Sequence, residues 1–248
     1  MLMNDIIIPY DLDQRISGAI NFFWSTRSGQ MLRQAASEAY DNRGAVSGGK
    51  QLDGFIAIIV QILLENGLDD KHIFYNTKLE LPGYYRPSKK WDLLIVDNEQ
   101  LVLAVELKSQ VGPSFGNNFN NRTEEAMGSA LDIWTAYREG VFKNSNPWLG
   151  YLMLLEDCPG SSAPVSIHSP HFEVMKEFEN SSYIKRYALF CKKLVLERQY
   201  HAACLLTSKR AQEDYGNYSI PCDRLAFLPF ITSMLAAILA HRAMKGGG

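Results

Sequence analysis

Two apolar runs joined by a polar segment constrain the fold of this chain more than any other feature. Leu93–Val96 and Leu101–Leu107 flank the polar residues Asp97-Asn98-Glu99-Gln100. Short apolar runs bounded by turn-forming residues are typical of buried β-strands. The sequence therefore predicts a β-hairpin whose sheet is covered by helices.

Helical periodicity is found on both sides of the hairpin. The spacing of Ile16, Ile20 and Phe23 predicts a helix over 11–42, and Gly67 stands where the next helix is expected to end. The other predicted elements, in chain order, are a helix at 52–66, a strand at 73–81, a loop at 109–121, a helix from there to 139, a strand at 149–155, and helices at 181–206 and 223–244.

Length and element order together predict the domain organisation. A chain of 248 residues can form one large domain or two small ones, and no long linker separates independent units here. We therefore predict one α/β domain over 1–248, with a core at about 47–157 and helical additions at 1–46 and 176–245.

The composition excludes several classes of protein. Hydrophobic residues make up 46% of the chain, and the formal net charge is −2. These values exclude a disordered chain and a generally basic nucleic-acid binder, so any site for a polyanion has to be local. The four cysteines lack the spacing of a metal site, which favours free thiols in the cytoplasm. The most apolar stretch, 225–240, is shorter than the roughly 20 residues of a membrane span, which favours a buried or interface helix over a membrane segment.

Three polar residues at one end of the hairpin form a candidate catalytic site. Glu106 and Lys108 are two positions apart and project from the same face of their strand, and Asp92 opens the partner strand. Along an antiparallel pair of strands, the residue numbers of any two residues that face each other add up to the same value. Asp92 therefore faces Glu106 only if this value is 198. That register requires an odd-length turn or a β-bulge, and we predict such an odd connection.

The chemistry of these residues suits hydrolysis of a phosphodiester bond. Carboxylates of Asp92 and Glu106, with the backbone carbonyl of Leu107, make a hard-oxygen site for Mg²⁺. Lys108 can stabilise the charged transition state and help to position or deprotonate the attacking water. The alternative interpretation is a set of surface charges at strand ends.

The residues around this constellation resemble the XhoI family of type II restriction endonucleases, which belongs to the PD-(D/E)xK nuclease superfamily. The resemblance covers about 47–206. Its segments are GGKQLDGF (48–55), LPGYYRPSKKWDLLIV (81–96), LAVELKSQVGPSFGNNFNNRTEEAMGSALDIW (103–134), GYLMLLEDC (150–158), SPHF (169–172) and YIKRYALFCKKLVLERQYHAACLL (183–206). One departure from the superfamily pattern is Trp91, which stands where a proline is usual.

The resemblance implies a fold and an activity. The fold is the α/β core of helix, three-strand meander, helix and strand, with a mixed sheet flanked by helices and added N- and C-terminal helices. The activity is Mg²⁺-dependent cleavage of palindromic double-stranded DNA by a homodimer. The implied site is CTCGAG, cut after the first C to leave a four-base 5′ overhang. The resemblance also implies a DNA methyltransferase that protects the host.

The superfamily often takes a further acidic ligand from the helix before the strands. Asp53 and Glu65 are the two choices in this chain, and Asp53 falls within the family-like LDGF stretch. An acid in the first turn of a helix also interacts favourably with the helix dipole, so both interpretations of Asp53 stay open.

Two groups of residues are candidates for DNA contact. Asparagine, glutamine and arginine can read bases in the major groove, and the loop that leaves the catalytic strand contains Gln110, Asn117, Asn118, Asn120, Asn121 and Arg122. Arg86, Lys89 and Lys90 precede Asp92 and suit phosphate contacts. The alternatives are asparagines that bond their own loop and a solvated basic cluster.

Three functions compete at this point. The leading hypothesis is a cytoplasmic restriction endonuclease without membrane association. A PD-(D/E)xK nuclease of DNA repair, without sequence preference, is the second, and a non-catalytic DNA-binding module is the third.

Overall fold

The structure, a computed structural model, describes residues 6–37, 50–143, 146–210 and 216–245. Within these residues the α-helices are α1 (Leu12–Ser37), α2 (Asp53–Glu65), α3 (Phe115–Arg138), α4 (Pro159–Ser162), α5 (Tyr183–Leu196) and α6 (Phe227–Lys245). The strands are β1 (Ile73–Phe74), β2 (Glu80–Leu81), β3 (Lys89–Lys90), β4 (Leu93–Asp97), β5 (Gln100–Gln110), β6 (Trp148–Glu156) and β7 (Ala202–Ser208). Short 3₁₀ helices lie at Lys50–Leu52, Asp70–His72, Lys176–Phe178 and Asp223–Leu225. The end of the predicted first helix, 38–42, lies outside the described residues.

The central sheet has five strands in the order β1-β4-β5-β6-β7. Strands β1, β4 and β5 pair antiparallel, whereas β5, β6 and β7 pair parallel. Parallel neighbours need crossover connections, which α3 and α5 provide here. This mixed sheet flanked by helices confirms the predicted fold class, a PD-(D/E)xK nuclease core.

Two glycines end α2 and α3 where the sequence predicted that these helices stop. Gly67 (φ 76°) and Gly140 (φ 84°) both lie in the left-handed region, which costs glycine no steric penalty. After α2, the Leu68 N–H donates to the Leu63 carbonyl and the Gly67 N–H donates to the Leu64 carbonyl. This is the Schellman arrangement, and it satisfies carbonyls that the helix end would otherwise leave unpaired.

The predicted helix over 181–206 is wrong in its second half. Helix α5 ends at Leu196, Arg198 adopts a φ of 56°, and the chain then forms strand β7. Every residue of β7 is buried, and an apolar run buried on all sides has no periodicity that separates a helix from a strand. Strand β7 therefore lies inside 176–245, a region predicted to be a helical addition, and it completes the central sheet.

Two further predictions are corrected by the structure. The predicted strand over 73–81 is reduced to two short strands, of which β2 pairs with β3 in a separate two-stranded sheet. The predicted loop over 109–121 is mostly absent, because β5 continues to Gln110 and α3 begins at Phe115. Phe115 stacks on Tyr183 of α5 with ring centroids 5.8 Å apart. Such packing outweighs the low helix propensity of the Asn- and Gly-rich sequence.

The sheet separates two apolar cores that are covered by different helices. Helices α1, α2 and α6 pack on one face, and α3 and α5 pack on the other. Side chains of β5 alternate between the two faces. Val105 and Leu107 point towards α1, α2 and α6, whereas Ala104 points towards α3 and α5. The same alternation places Glu106 on the α3/α5 face.

Helix α6 contains the most apolar stretch of the sequence. By length and composition alone it could cross a membrane. Its buried side chains lie in the core on the α1/α2/α6 face, and they are Phe227, Phe230, Ile231, Met234, Leu235 and Ile238. Burial within the monomer, one of the two explanations that the sequence left open, accounts for these six side chains, and a role of the helix in an interface stays a prediction.

Candidate active site

The hairpin of β4 and β5 carries the predicted catalytic residues on one face. Leu93 pairs with Val105, which gives the predicted sum of 198, and the same register extended by one residue places Asp92 opposite Glu106. The hydrogen bonds agree with this pairing. The Asp92 N–H donates to the Val105 carbonyl at 3.2 Å, and Asp92 Oδ2 accepts from the Leu107 N–H at 2.8 Å.

A β-bulge, and not a long turn, produces this register. Asn98 and Glu99 form a two-residue turn with φ values of 50° and 62°, as a type I′ turn requires. Next to the turn Val96 pairs with Leu101, which gives a sum of 197. The register then shifts by one residue at Val102. The prediction of an odd connection is confirmed in its bulged form.

The Glu106 carboxylate is the centre of the site, and both of its oxygens are engaged. Its side chain is 1% exposed. Glu106 Oε1 lies 3.1 Å from Lys108 Nζ and 3.1 Å from Lys89 Nζ, while Oε2 accepts from the Tyr200 hydroxyl at 3.0 Å. Burial raises the pKa of Glu106, but the two ammonium groups outweigh burial and hold this pKa below its usual value. The carboxylate is therefore ionised at neutral pH.

The other charged groups of the site respond to the same arrangement. Burial lowers the pKa of Lys108, but the Glu106 carboxylate outweighs it, so the net shift is upward. For Lys89 burial dominates over the attraction of Glu106, and its pKa is lowered. Burial raises the pKa of Asp92, against the hydrogen bond from the Leu107 N–H and the charge of Lys108. Because these two carboxylates and two lysines are buried close together, a further charge such as a metal ion would change the pKa of each of them.

Lys89 lies inside this cluster, although we predicted it as a phosphate contact beside Lys90. Its side chain is 13% exposed, and its ammonium group lies 4.1 Å from the ring centroid of Trp91, a cation–π distance. Lys90, by contrast, is exposed on β3. The structure therefore separates two neighbouring lysines that the sequence presents as equivalent.

Helix α3 contributes a charged pair next to Lys108. Glu125 Oε2 lies 3.5 Å from Lys108 Nζ and 2.6 Å from Arg122 Nη1. A series of alternating charges therefore runs from Glu106 through Lys108 and Glu125 to Arg122. It connects the predicted catalytic residues to the Asn-rich beginning of α3.

Two of the residues predicted to contact DNA have partners within the chain. Gln110 is buried, its amide donates to the Phe115 carbonyl at 2.9 Å, and its carbonyl accepts from the Tyr187 hydroxyl. These internal contacts do not support a base-reading role for Gln110. Arg86 donates from Nε to Asp132 Oδ2 at 2.9 Å, so its charge is compensated within the chain.

The asparagines predicted to read bases lie on the first two turns of α3 and not on a loop. Asn117, Asn120 and Asn121 are exposed, and Asn118 is half-buried. Arg122 follows them on the same helix with its side chain 30% exposed. The structure thus presents this polar set on a helix that begins five residues after β5 ends.

Neither acidic residue of α2 joins the cluster around Glu106. Helix α2 packs on the α1/α2/α6 face, whereas Asp92 and Glu106 lie on the other face. Asp53 is exposed, and burial, opposed by Lys50, raises its pKa. Glu65 pairs with Arg15 at 2.9 Å. The structure does not support Asp53 as a metal ligand, and no group of three or more Asp, Glu, His or Cys residues suited to a metal ion occurs among the described residues.

The oxygen donors nevertheless suit a hard divalent cation. Asp92 and Glu106 present carboxylate oxygens from the same face of the hairpin, and the Leu107 carbonyl belongs to the same strand as Glu106. Mg²⁺ is usually bound through one or two carboxylates, with waters and a substrate phosphate completing its shell. The residues present therefore fit Mg²⁺ without a third acidic ligand.

Two residues of the site, Tyr200 and Glu125, were not identified from the sequence. Tyr200 is 94 positions from Glu106, so no local spacing could relate them. Glu125 follows Arg122 by three residues, a spacing that pairs charges on a helix. Both residues lie on the helix that the sequence predicts up to 139, so this spacing was a usable signal.

Fold and site together define the class of this protein as a PD-(D/E)xK nuclease. The acidic residue, the Glu-x-Lys strand and the mixed sheet that carries them are the features of that class. The model of the family described as restriction endonuclease XhoI matches residues 32–220. The chain belongs to this family, and it is an enzyme, a type II restriction endonuclease.

Three curated relatives agree with the family. The chain is 52% identical over 220 residues to the type II restriction enzyme BstVI of Geobacillus stearothermophilus, a match that spans 86% of this chain and 98% of that enzyme. It is 48% identical over 178 residues to XhoI of Xanthomonas vasicola, spanning 71% of this chain and 72% of that enzyme. It is 47% identical over 165 residues to AbrI of Azospirillum brasilense, spanning 65% of this chain and 74% of that enzyme. No solved structure matches.

Proposed function

We propose that this restriction endonuclease hydrolyses double-stranded DNA at the palindrome CTCGAG, cutting after the first C to leave a four-base 5′ overhang, with Mg²⁺ as its cofactor. The observation that carries the chemistry is the bulged register, which puts Asp92 opposite Glu106 with Lys108 Nζ 3.1 Å from the Glu106 carboxylate. The match to XhoI supports the recognition sequence.

In this proposal Asp92, Glu106 and the Leu107 carbonyl hold the metal ion. Mg²⁺ bound there would polarise the scissile phosphate, lower the pKa of bound water and stabilise charge on the leaving oxygen. Lys108 stays protonated beside Glu106, so it can stabilise negative charge on the phosphorane and orient the attacking water. Burial on the α3/α5 face reduces the dielectric around these charges, which strengthens each of these interactions.

The start of α3 is the proposed base-reading surface. The major groove admits an α-helix, and asparagine can bond adenine with both ends of its amide. Asn117, Asn120 and Asn121 are exposed and lie on the helix that also contacts Lys108 through Glu125. Exposed Lys90 is proposed to contact a phosphate, which positions the duplex without reading its sequence.

A substitution pair separates base reading from phosphate contact. Asn121→Ala should weaken binding to the cognate duplex by about 1–3 kcal/mol and leave binding to unrelated duplex unchanged. Lys90→Ala should weaken binding to both duplexes equally. It should also reduce the slope of the logarithm of the binding constant against the logarithm of salt concentration by about 1, as the loss of one phosphate contact requires. Fluorescence anisotropy in Ca²⁺ at several salt concentrations measures both. Equal losses on both duplexes for Asn121→Ala would refute its reading role.

The partners proposed for the enzyme follow from a palindromic site. A two-fold symmetric site is cut most simply by a homodimer, which sedimentation of the purified protein would test. An active enzyme also requires a DNA methyltransferase that protects the host chromosome. The cysteines at 158, 191, 204 and 222 are free thiols, which supports a location in the reducing cytoplasm.

The deciding experiment is digestion of a sequenced plasmid with and without Mg²⁺, followed by sequencing of the ends. We expect discrete fragments with 5′ overhangs at CTCGAG, and no cleavage in EDTA or by Glu106→Gln. A smear of fragments would indicate the repair-type nuclease without sequence preference. Unchanged plasmid under all conditions, together with wild-type binding by Glu106→Ala, would indicate the non-catalytic module.

A further inference from the structure

Tyr200 is a buried side chain that touches the catalytic carboxylate from the protein interior. It is 1% exposed, and its backbone N–H donates to the Leu194 carbonyl at the end of α5 at 3.1 Å. Its ring lies 5.5 Å from the ring of Tyr151 in the α3/α5 core. The phenol is therefore held in place by packing on one side and by the backbone on the other.

The Tyr200 hydroxyl has one proton and two acceptors within reach. They are Glu106 Oε2 at 3.0 Å and the Ala126 carbonyl at 3.2 Å. A hydroxyl proton serves one acceptor at a time, and a hydrogen bond to a charged acceptor is roughly twice as strong as one to a neutral acceptor. The proton is therefore directed to the Glu106 carboxylate.

The two oxygens of Glu106 differ in how their partners respond to a metal ion. Oε1 is held by two ammonium groups, and the positive charge of a cation at this oxygen repels both of them. Oε2 is held by a neutral hydroxyl from inside the core. Among the contacts of the Glu106 side chain in the described residues, this hydrogen bond is the one with which a cation at Oε1 does not compete.

We infer that Tyr200 is a positioning residue, whose hydroxyl fixes the orientation of the Glu106 carboxylate when a divalent cation takes the oxygen held by Lys89 and Lys108. The inference rests on the proposed metal-binding role of Glu106. Partners that orient a metal-binding carboxylate commonly change metal affinity or activity by about 10- to 100-fold when they are removed. Tyr200 should therefore set the affinity for the cation and leave the affinity for DNA unchanged.

Tyr151 provides a matched control for this experiment. It pairs with Glu106 across β5 and β6, it is fully buried, and its ring packs against Tyr200. Its hydroxyl has no hydrogen-bond partner among the described residues. The substitution Tyr151→Phe therefore removes the same atom from the same core without removing a hydrogen bond to Glu106.

The test measures Mn²⁺ binding to the full-length protein by electron paramagnetic resonance, and the Mg²⁺ concentration that gives half-maximal cleavage. Tyr200→Phe should weaken Mn²⁺ binding and raise the Mg²⁺ requirement, each by about 10-fold, with DNA affinity in metal-free buffer unchanged. Tyr151→Phe should match the wild type in all three. At position 200, p-aminophenylalanine should restore metal binding because it donates a hydrogen bond, whereas p-methylphenylalanine fills the same volume and should not.

The outcomes separate this inference from the proposed function. Wild-type Mn²⁺ affinity in Tyr200→Phe, with binding abolished in Glu106→Gln, would overturn the role of Tyr200 alone. Equal losses in Tyr151→Phe and Tyr200→Phe would assign the effect to core packing and also overturn it. Unchanged Mn²⁺ binding in Glu106→Gln would instead refute the metal site. If Tyr200→Phe does not fold, the pair of phenylalanine analogues gives the same comparison.

Discussion

The two faces of strand β5 differ in the kind of side chain that they bury. On the α1/α2/α6 face Leu103, Val105 and Leu107 enter an apolar core. On the α3/α5 face Glu106 is buried beside two lysines and a tyrosine. Both groups of side chains are largely buried, but one stabilises the fold and the other holds charges whose desolvation has to be offset by their partners. Substitutions on the two faces should therefore affect different measurements.

The largest expected effect is on catalysis, from Lys108→Ala on the α3/α5 face. The variant loses the ammonium group next to Glu106, and we expect cleavage to fall by about 10³-fold or more, which corresponds to about 4 kcal/mol of activation free energy. Single-turnover cleavage at saturating Mg²⁺ measures it, and DNA affinity in Ca²⁺ should change by less than about 3-fold. Lys193→Ala, at an exposed lysine of α5, is the control. Normal turnover by Lys108→Ala would remove this lysine from the mechanism.

The second effect is on stability, from Phe230→Ala on the α1/α2/α6 face. Phe230 is fully buried, and its ring packs against Trp148 with centroids 5.4 Å apart. Removing it should lower the free energy of unfolding by about 3–5 kcal/mol, as measured by urea titration, without changing the cleavage rate of the folded enzyme. Phe172→Ala, at a ring that is 83% exposed, should cost less than about 0.5 kcal/mol. A large loss of cleavage at unchanged stability would contradict the separation of the two faces.

The smallest effect tests a buried charge that supports the α3/α5 face. Asp132 accepts hydrogen bonds from the backbone N–H groups of Tyr84 and Tyr85, each at 2.7 Å, and pairs with Arg86. Asp132→Asn replaces one acceptor oxygen by a donor. We therefore expect the free energy of unfolding at pH 7 to fall by about 1–3 kcal/mol. The exposed Asp70 offers Asp70→Asn as a control without such partners.

The same substitution has a defined pH dependence. Burial raises the pKa of Asp132, but the hydrogen bonds from the Tyr85 N–H, Arg86 and the Tyr84 N–H outweigh it, so the pKa is lowered. A lowered pKa in the folded state stabilises the protein above the pKa of the unfolded state, about 3.9 for Asp. The difference in the free energy of unfolding between wild type and Asp132→Asn should be constant above about pH 5 and shrink as the pH falls below about 3.9. A difference that stays constant at pH 3 would show that the charge is not what stabilises this loop.

Some parts of the fold were predictable because their signals are local. The hairpin, the ends of α2 and α3 and the buried strand β6 each follow from a short pattern of apolar residues, turn residues and glycine. Strand β7 was mistaken for helix because a fully apolar run has no diagnostic period. The helical start of α3 was missed because contacts of Phe115 and Phe119 with α5 override the local propensity of asparagine and glycine.

The candidate site also has one part that local signals predict and another part that depends on distant partners. Spacing and chemistry predict Asp92, Glu106 and Lys108 as one site, and the register that brings Asp92 opposite Glu106 follows from the parity of the connection. Lys89 and Lys90 could not be told apart, because a two-residue strand exposes one of them and turns the other towards Glu106. Tyr200 and Gln110 acquired their roles from partners 94 and 77 positions away.

The sequence by itself determined the family, the hairpin and the three residues proposed for catalysis, because these depend on residue type and on spacing along one or two strands. Only the tertiary structure decided which face of the sheet each residue serves. The bulge at Val102 shifts the register by one residue, and a shift of one residue exchanges the two faces of a strand. Packing of distant elements then chose the partners of Glu106 and placed Asp53 on the opposite side of the sheet. Such choices depend on distances between residues that are far apart in the chain, which no local pattern encodes.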